Sequence, residues 1–272
     1  MTSSVADLPV YLINLARATE RRARMEDRLA RLGLAYSLFP GVDGKAEEAR
    51  LLANTDIAAF RRNMGRDILI GGLGCYHSHL GVWEMFLASG SDIALVLEDD
   101  IVFHDDFRSA LELALRARSH WDLLKLNRIR AKLPISQGWI GPYRLMAYLG
   151  PNTGTGAYLI NRQTAARLLP SMRRVTRATD HEINRYFVHN FRLRGLEPFP
   201  SHPEEGESLI ATGAGGYSAV RKFPPHRRLP NYGLRCANYF RRGWWMLRNG
   251  EIWPEDRDLL EEAPMNKAQN HA

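Results

Sequence analysis

Ile93-Ala-Leu-Val-Leu97-Glu98-Asp99-Asp100-Ile101-Val-Phe103 decides how the rest of the chain is read. Five apolar residues in succession fit a strand covered on both faces, as in the parallel sheet of an α/β protein. Three carboxylates follow at once. In open α/β sheets, ligands sit in the crevice at the carboxyl ends of the strands. Adjacent acids there repel one another unless a cation offsets them. A divalent metal carrying a diphosphate is the natural partner, since hard Mg²⁺ or Mn²⁺ prefers oxygen ligands. The plainer alternative is an acidic turn leading into a helix that begins near Asp105-Asp106. Those two later acids serve as caps, which leaves Glu98 to Asp100 without a capping role.

Working outward, Pro9 to Leu15 reads as a first strand, Thr19 to Leu34 as a helix ended by Gly33, and Ala35 to Phe39 as a second strand. This alternation is the βαβ signature of a parallel sheet. Pro40 to Gly44 is a turn, residues 46–64 a polar helix, and Gly71-Gly-Leu-Gly74 a loop before a helix from Cys75 to Ala88. Beyond the acids the reading gives a helix over 106–118, a strand over 121–126 and a hairpin or loop over 131–150. A strand over 157–160, a helix over 162–169 and a helix from Thr179 to about His189 complete it.

The 272 residues, 45% hydrophobic and 25% charged, suffice for one large α/β domain or a domain with an appendage. Two cysteines, Cys75 and Cys236, make no disulfide framework, so a reducing compartment is expected. No signal-peptide pattern opens the sequence and no run reaches the ~20 apolar residues of a membrane span. A cytoplasmic, soluble or peripheral protein is therefore expected. From Ser208 to Gly250 there are eight arginines and lysines and no acid. They exceed the net charge of the whole chain, +7, so the remainder is close to neutral. Basic character thus belongs to the C-terminal part and points to an anionic surface. Two divisions are expected: a catalytic domain over 1–207 and a basic, aromatic extension over 208–272.

Several short motifs resemble glycosyltransferase family 25, the bacterial lipooligosaccharide galactosyltransferases and their collagen galactosyltransferase relatives. They are Tyr11-Leu-Ile-Asn14-Leu-Ala-Arg17 with Arg21-Arg22, Gly41-Val-Asp43-Gly44, Gly74-Cys75-Tyr-His-Ser78-His79 and Leu97-Glu98-Asp99-Asp100. Trp121-Asp-Leu-Leu124, Gly154-Thr-Gly-Ala-Tyr158-Leu-Ile and Asp180 follow in the family's order. The resemblance implies a GT-A-like, Rossmann-type mixed sheet flanked by helices, a UDP-galactose or UDP-glucose donor, a divalent metal (Mn or Mg), and inversion at the anomeric carbon.

Set against that chemistry, Asn14, Arg17 and Arg21 lie where nucleotide contacts are expected, with a solvated arginine face as the alternative for the helix. Asp43 suits ribose or base contacts, or a plain turn. Ser78 and His79 would shape the donor pocket, and Cys75 is a small buried hydrophobe. One Cys and two His within five residues lack the paired spacing of a structural zinc site, so zinc is rejected. Asp100 is the first candidate for direct metal ligation, with Glu98 or Asp99 on ribose or metal-bound water. His181 is either a third ligand or a surface residue. Inverting transfer needs a base for the acceptor hydroxyl. Asp180 is the candidate, Glu182 the runner-up, and an ordinary N-cap the plain alternative for Asp180. Gly154, Thr155 and Gly156 would let backbone approach the sugar, or form a simple turn.

Residues 219–248 mix arginines with Tyr239, Phe240, Trp244 and Trp245, which suits an anionic membrane surface. Gly233 and Gly243 are expected to interrupt any long helix there, and packing on the catalytic domain is the alternative. The leading reading is a metal-dependent, inverting transfer of a hexose from a UDP-sugar to a lipid-linked or oligosaccharide acceptor, on the cytoplasmic face of the inner membrane. A retaining or otherwise different sugar-nucleotide enzyme is the second reading. The third is an anionic-surface or nucleic-acid binding protein on a non-catalytic scaffold; a buried strand ending in three acids argues against specific nucleic-acid binding.

Overall fold

The computed structural model describes residues 4–204 and 222–260. β1 (Val10–Asn14), α1 (Thr19–Arg31) and β2 (Ser37–Pro40) form the first parallel crossover. Then come α2 (Glu48–Ala53), α3 (Ile57–Met64), α4 (Ile70–Ser89) and β3 (Ile93–Glu98). β4 (Ile101–Phe103), α5 (Phe107–Arg116), β5 (Leu123–Lys125) and the short β6 (Arg130–Ala131) follow. The hairpin β7 (Pro134–Ile140) and β8 (Tyr143–Tyr148) leads to β9 (Asn152–Thr153), β10 (Ala157–Asn161) and α6 (Arg162–Met172). After α7 (Thr179–Ile183) and α8 (Tyr186–His189) come β11 (Leu193–Glu197) and β12 (Ser201–Pro203). The last described elements are α9 (Leu229–Arg248) and β13 (Glu255–Asp258).

Nine strands make one mixed sheet in the order β13-β7-β8-β11-β5-β10-β3-β1-β2. β2, β1 and β3 run parallel, as the βαβ pattern requires, and β10 enters antiparallel between β3 and β5. The run Ile93–Leu97 is buried on both faces. Its Leu95 and Leu97 pack with Met25, Leu29, Phe107 and Trp121 on the α1/α5 side. Ala94 and Val96 pack with Leu80, Trp83, Phe86 and Leu168 on the α4/α6 side. Because strand side chains alternate, a two-sided core demands an unbroken apolar run. This α/β mixed sheet flanked by helices is GT-A-like.

Four local expectations need correction. Gly71 to Gly74 lie inside α4, whose first turn starts at Ile70. Glycine there answers a tertiary need: a Cβ on Gly74 would stand 2.4 Å from the carbonyl oxygen of Val42, and one on Gly44 would stand 2.3 Å from that of Ile70. The helix therefore lies directly against the 41–44 loop. Residues 46–64 form two helices, α2 and α3, with Asp56 capping the second through the amide of Ala59 at 2.9 Å. The Thr179–His189 helix stops after Ile183, because the Asn184 side chain accepts from the Asn152 amide at 2.7 Å and donates to the Asp180 carbonyl at 2.7 Å. Asp106 stands at the N-cap of α5 without capping it, since its carboxylate takes the Tyr143 hydroxyl at 2.5 Å.

The C-terminal part holds a further difference. α9 runs unbroken for 20 residues through Gly233 and Gly243. Packing carries it where propensity would not: Met246 is buried, and Trp245 meets Tyr186 edge-on at 5.0 Å. β13 then pairs with β7 at the sheet edge. A buried ion pair of 2.7 Å joins Glu251 to Arg194 on β11. Residues 222–260 are thus woven into the same sheet and core. Residues 219–221 of the basic segment lie outside the described residues.

Candidate active site

The acids after β3 open onto a cleft of about 240 Å³ at the carboxyl end of the strand. Glu98 and Asp100 line it, with Cys75 from α4, Thr155 between two glycines, and Arg177 and Asp180 at the start of α7. Gly154 has φ +105°, which favours glycine, and a Cβ on Gly156 would stand 2.3 Å from Ile101 Cδ1. The backbone of 154–156 therefore forms a close wall of the cleft.

The three acids play different parts. Glu98 Oε1 accepts from Thr155 Oγ1 at 2.6 Å and faces His79 Nε2 at 3.1 Å. His79 is fully buried, and its Nδ1 lies 2.9 Å from the Tyr158 hydroxyl, which also accepts from Trp83 Nε1 at 2.9 Å. With Glu98 ionised, Nε2 carries the proton toward it, and Tyr158 donates to Nδ1; this assigns the tautomer from the bonding pattern. Burial raises the Glu98 carboxyl, but the His79 and Thr155 bonds outweigh it and hold it below its usual range. Asp99 is buried and turned away from the cleft. Its Oδ2 accepts from Asn14 Nδ2 at 2.7 Å and its Oδ1 from Arg21 at 3.2 Å, which ties β1 and α1 to the acidic turn. Asp100 faces the cleft, 3.6 Å from Arg21. Burial, then the charges of Glu98 and Asp99, push its carboxyl up to about 7.

The remaining candidates separate in the same way. Arg17 and Asp43 form an ion pair at the ends of β1 and β2, off the cleft wall. Asn14 is spent on Asp99 and on the Ala18 carbonyl, 3.1 Å away. Ser78 is buried; it accepts from the Val42 amide and donates to the Gly74 carbonyl, each at 2.8 Å. The expected pocket role of Ser78 is corrected to pinning the 41–44 loop onto α4. Asp180 is half-buried and lines the cleft, with Oδ1 accepting its neighbour's amide, His181 N, at 2.8 Å.

Glu182, the second base candidate, is buried and off the cleft wall. It is held by Arg185 at 2.8 Å, by Arg177 at 3.0 Å and by His189 at 3.0 Å. Burial raises its carboxyl, but these partners together pull it down to about 2. A carboxylate so weakly basic and so enclosed organises α7 rather than taking protons. His181 is exposed and lines a neighbouring cavity, so the fold does not bring it into a ligand set with Glu98 and Asp100.

Among the described residues, Cys75, His79 and Glu98 bring one donor atom each within 4.8 Å of one another. Both His79 nitrogens are already engaged, and burial with the nearby acids pushes the Cys75 thiol well up, so it stays neutral. A neutral thiol is a poor ligand for a hard ion. Glu98 and Asp100 instead offer oxygens to the cleft, and the crowding that raises Asp100 is the charge a Mg²⁺ or Mn²⁺ would offset. The residues present fit such an ion there.

Sequence reading missed three side chains. Lys125, fully buried on β5, donates to the carbonyls of Asn152 at 2.5 Å and Gly154 at 2.7 Å and so holds the glycine wall. Burial lowers its ammonium to about 8, with Asp180 and Glu98 pulling the other way. A lysine inside the otherwise apolar run Leu123 to Leu126 was its visible signal. Arg66 and Arg177 also line the cleft, and nothing in their local sequence marks them.

Comparison with known proteins identifies the family. The profile described as Glycosyltransferase family 25 (LPS biosynthesis protein) matches residues 7–149. A "Glycosyltransferase 25 family member" of Anopheles gambiae is 30% identical over 78% of this chain and 40% of its own length. "Procollagen galactosyltransferase 1" of Danio rerio is 26% identical over 76% of this chain and 37% of its own. A relative in Rattus norvegicus, "Probable inactive glycosyltransferase 25 family member 3", is 28% identical over 71% and 37% respectively. The chain spans about two fifths of the length of these curated relatives. The protein belongs to glycosyltransferase family 25.

Proposed function

We propose that the protein is a metal-dependent, inverting glycosyltransferase that moves a hexose, galactose or glucose, from a UDP-sugar to a saccharide acceptor of lipooligosaccharide or lipopolysaccharide. One observation carries this reading: Glu98, Asp100 and Asp180 line a single cleft at the carboxyl end of a central strand. The family description and the printed name of the Danio rerio relative support the class of acceptor and the galactosyl donor.

A divalent ion held by Glu98 and Asp100 would supply Lewis-acid neutralisation of the departing diphosphate. The chain's own residues do the rest. His79 and Thr155 fix the Glu98 carboxylate, and Asn14 and Arg21 hold the turn that aims Asp100. Arg17 and Asp43 flank the end of β1, where a nucleoside would lie. The glycine wall, held by Lys125, lets the sugar approach backbone. Asp180 takes the proton of the acceptor hydroxyl as its oxygen bonds to the anomeric carbon and the bond to the diphosphate breaks.

On the described part of α9, Phe240, Trp244 and Leu247 are 80%, 65% and 48% exposed. They recur at helical spacing beside Arg241 and Arg248, which supports seating on an anionic, cytoplasmic-face membrane where a lipid-linked acceptor lies. Among the described residues no helix is long and apolar enough to cross a membrane. Incubation with UDP-galactose or UDP-glucose and lipooligosaccharide tests the transfer. Asp180→Asn is expected to bind UDP normally and lose turnover; near-normal turnover would remove Asp180 as the base. A binding-only scaffold predicts no turnover in the unaltered protein, and the rat relative's name, "Probable inactive", gives that alternative a precedent for lost activity.

A further inference from the structure

Beside the cleft lies a second, larger cavity of about 580 Å³, walled on its far side by α9. The two share Arg66, Ile129, Arg177 and Asp180. Asp180 therefore stands at their junction, with the acids of the cleft on one side and this cavity on the other. Among the described residues that line it, eight are arginine or lysine and only Asp180 is acidic.

Among the described residues that charge is only partly neutralised. Glu182 compensates Arg177 and Arg185 from behind. Arg242 is buried, donates to the carbonyls of Leu149 at 2.7 Å and Asn184 at 3.2 Å, and lies over the rings of Tyr186, Phe187 and Tyr239. Its Nε, and that of Arg185, are buried without a hydrogen-bond partner among the described residues. Arg130, Lys222 and Arg235 are exposed at the cavity's rim and make no ion pair among the described residues. Guanidinium groups match phosphate and carboxylate oxygens, so a cavity lined by many cations and a single acid favours an anionic ligand.

We infer that this cavity is the acceptor subsite and that it takes a saccharide bearing phosphate or carboxylate groups. The inference rests on the glycosyl-transfer reading for its geometry: an acceptor hydroxyl must reach Asp180 while the rest of the acceptor lies elsewhere. The volume suits one or two sugar rings. The half-buried Tyr239 and Asn238 add a ring face and an amide on the same wall. Among the described residues the cavity lining lacks the clustered carboxylates that would hold a metal, so its anion would meet arginine directly, unlike the donor diphosphate.

The test is calorimetric, with UDP and Mn²⁺ present at saturation and again without them. Glucose 6-phosphate, glucuronate, methyl glucoside and inorganic phosphate are titrated into the unaltered protein and into the charge reversals Arg235→Glu and Arg130→Glu. Circular dichroism and thermal melting verify that each variant is folded. Glucose 6-phosphate and glucuronate are expected to bind at least tenfold more tightly than methyl glucoside, and either reversal to weaken them at least tenfold. Equal binding of the neutral sugar, or reversals without effect in folded protein, would overturn the inference. So would inorganic phosphate binding as tightly as glucose 6-phosphate, which shows affinity for an anion alone. UDP titrated by itself separates the two readings. Loss of UDP binding with intact, charge-dependent sugar binding sinks the donor assignment only; the opposite pattern sinks the subsite only.

Discussion

Replacing Glu182 with Gln removes a negative charge from among three cationic or ionisable partners, Arg177, Arg185 and His189, at 2.8–3.0 Å. The native carboxyl is held at about 2 against an ordinary value of 4.5, with burial opposing and these partners prevailing. A folded-state value below the unfolded one means that the unfolded chain binds the proton more readily. The stabilisation is therefore complete above 4.5 and fades as pH falls toward 2. At 1.36 kcal/mol per unit, the gap corresponds to about 3 kcal/mol. Urea unfolding of both proteins between pH 7 and pH 3 reads this directly, since titrating groups out of contact with residue 182 cancel in the difference. The variant is expected to be less stable by about 3 kcal/mol at pH 7 and pH 5, with the gap closing below 4.5. Equal stability at pH 7, or a gap that does not change with acid, would refute the electrostatic account of α7.

Three further outcomes follow from the packing. Tyr158→Phe strips a partner from buried Trp83 Nε1 and His79 Nδ1. It should cost roughly 1–3 kcal/mol in melting experiments and weaken metal-dependent UDP binding, because Glu98 loses its fixed orientation. Gly74→Ala places a Cβ 2.4 Å from the Val42 carbonyl oxygen. The 41–44 loop must move, at a cost of about 1–3 kcal/mol, and UDP affinity should fall with it. Glu251→Gln leaves Arg194, 3% exposed, without its carboxylate. A loss of about 3–5 kcal/mol on denaturant unfolding is expected, and a neutral result would show that the C-terminal part is not integral to the sheet.

The frame of the fold was legible because it is written in local periodicity. The uninterrupted Ile93–Leu97 run and the amphipathic α1 needed no distant partner to be read. The glycines of α4 and α9 misled for one reason: their local preference is against helix, while close packing on the 41–44 loop or aromatic burial under Trp245 decides otherwise. Polar residues in motif-like positions were harder still. Asn14, Ser78, Asp99 and Glu182 look available in sequence, yet each is consumed by a partner brought close by the fold. Asn14 and Asp99 are 85 positions apart. Asp100 stood out in its run of acids and Asp180 as a lone acid at a helix start, where an N-cap was the plain alternative, and both line the cleft. The basic cavity was hidden because its arginines come from segments spread over 66–242, assembled only when α9 packs on α3 and α8.

The central claim is that Glu98 and Asp100 hold a divalent ion that binds the donor diphosphate beside Asp180. Calorimetric titration of UDP into the purified protein, first with Mn²⁺ or Mg²⁺ and then with EDTA, addresses it most directly, with Asp100→Asn alongside. The account predicts saturable binding that requires the metal and disappears in the variant. Binding of equal strength in EDTA, or undiminished in Asp100→Asn, would contradict it and remove these carboxylates from the centre of the chemistry.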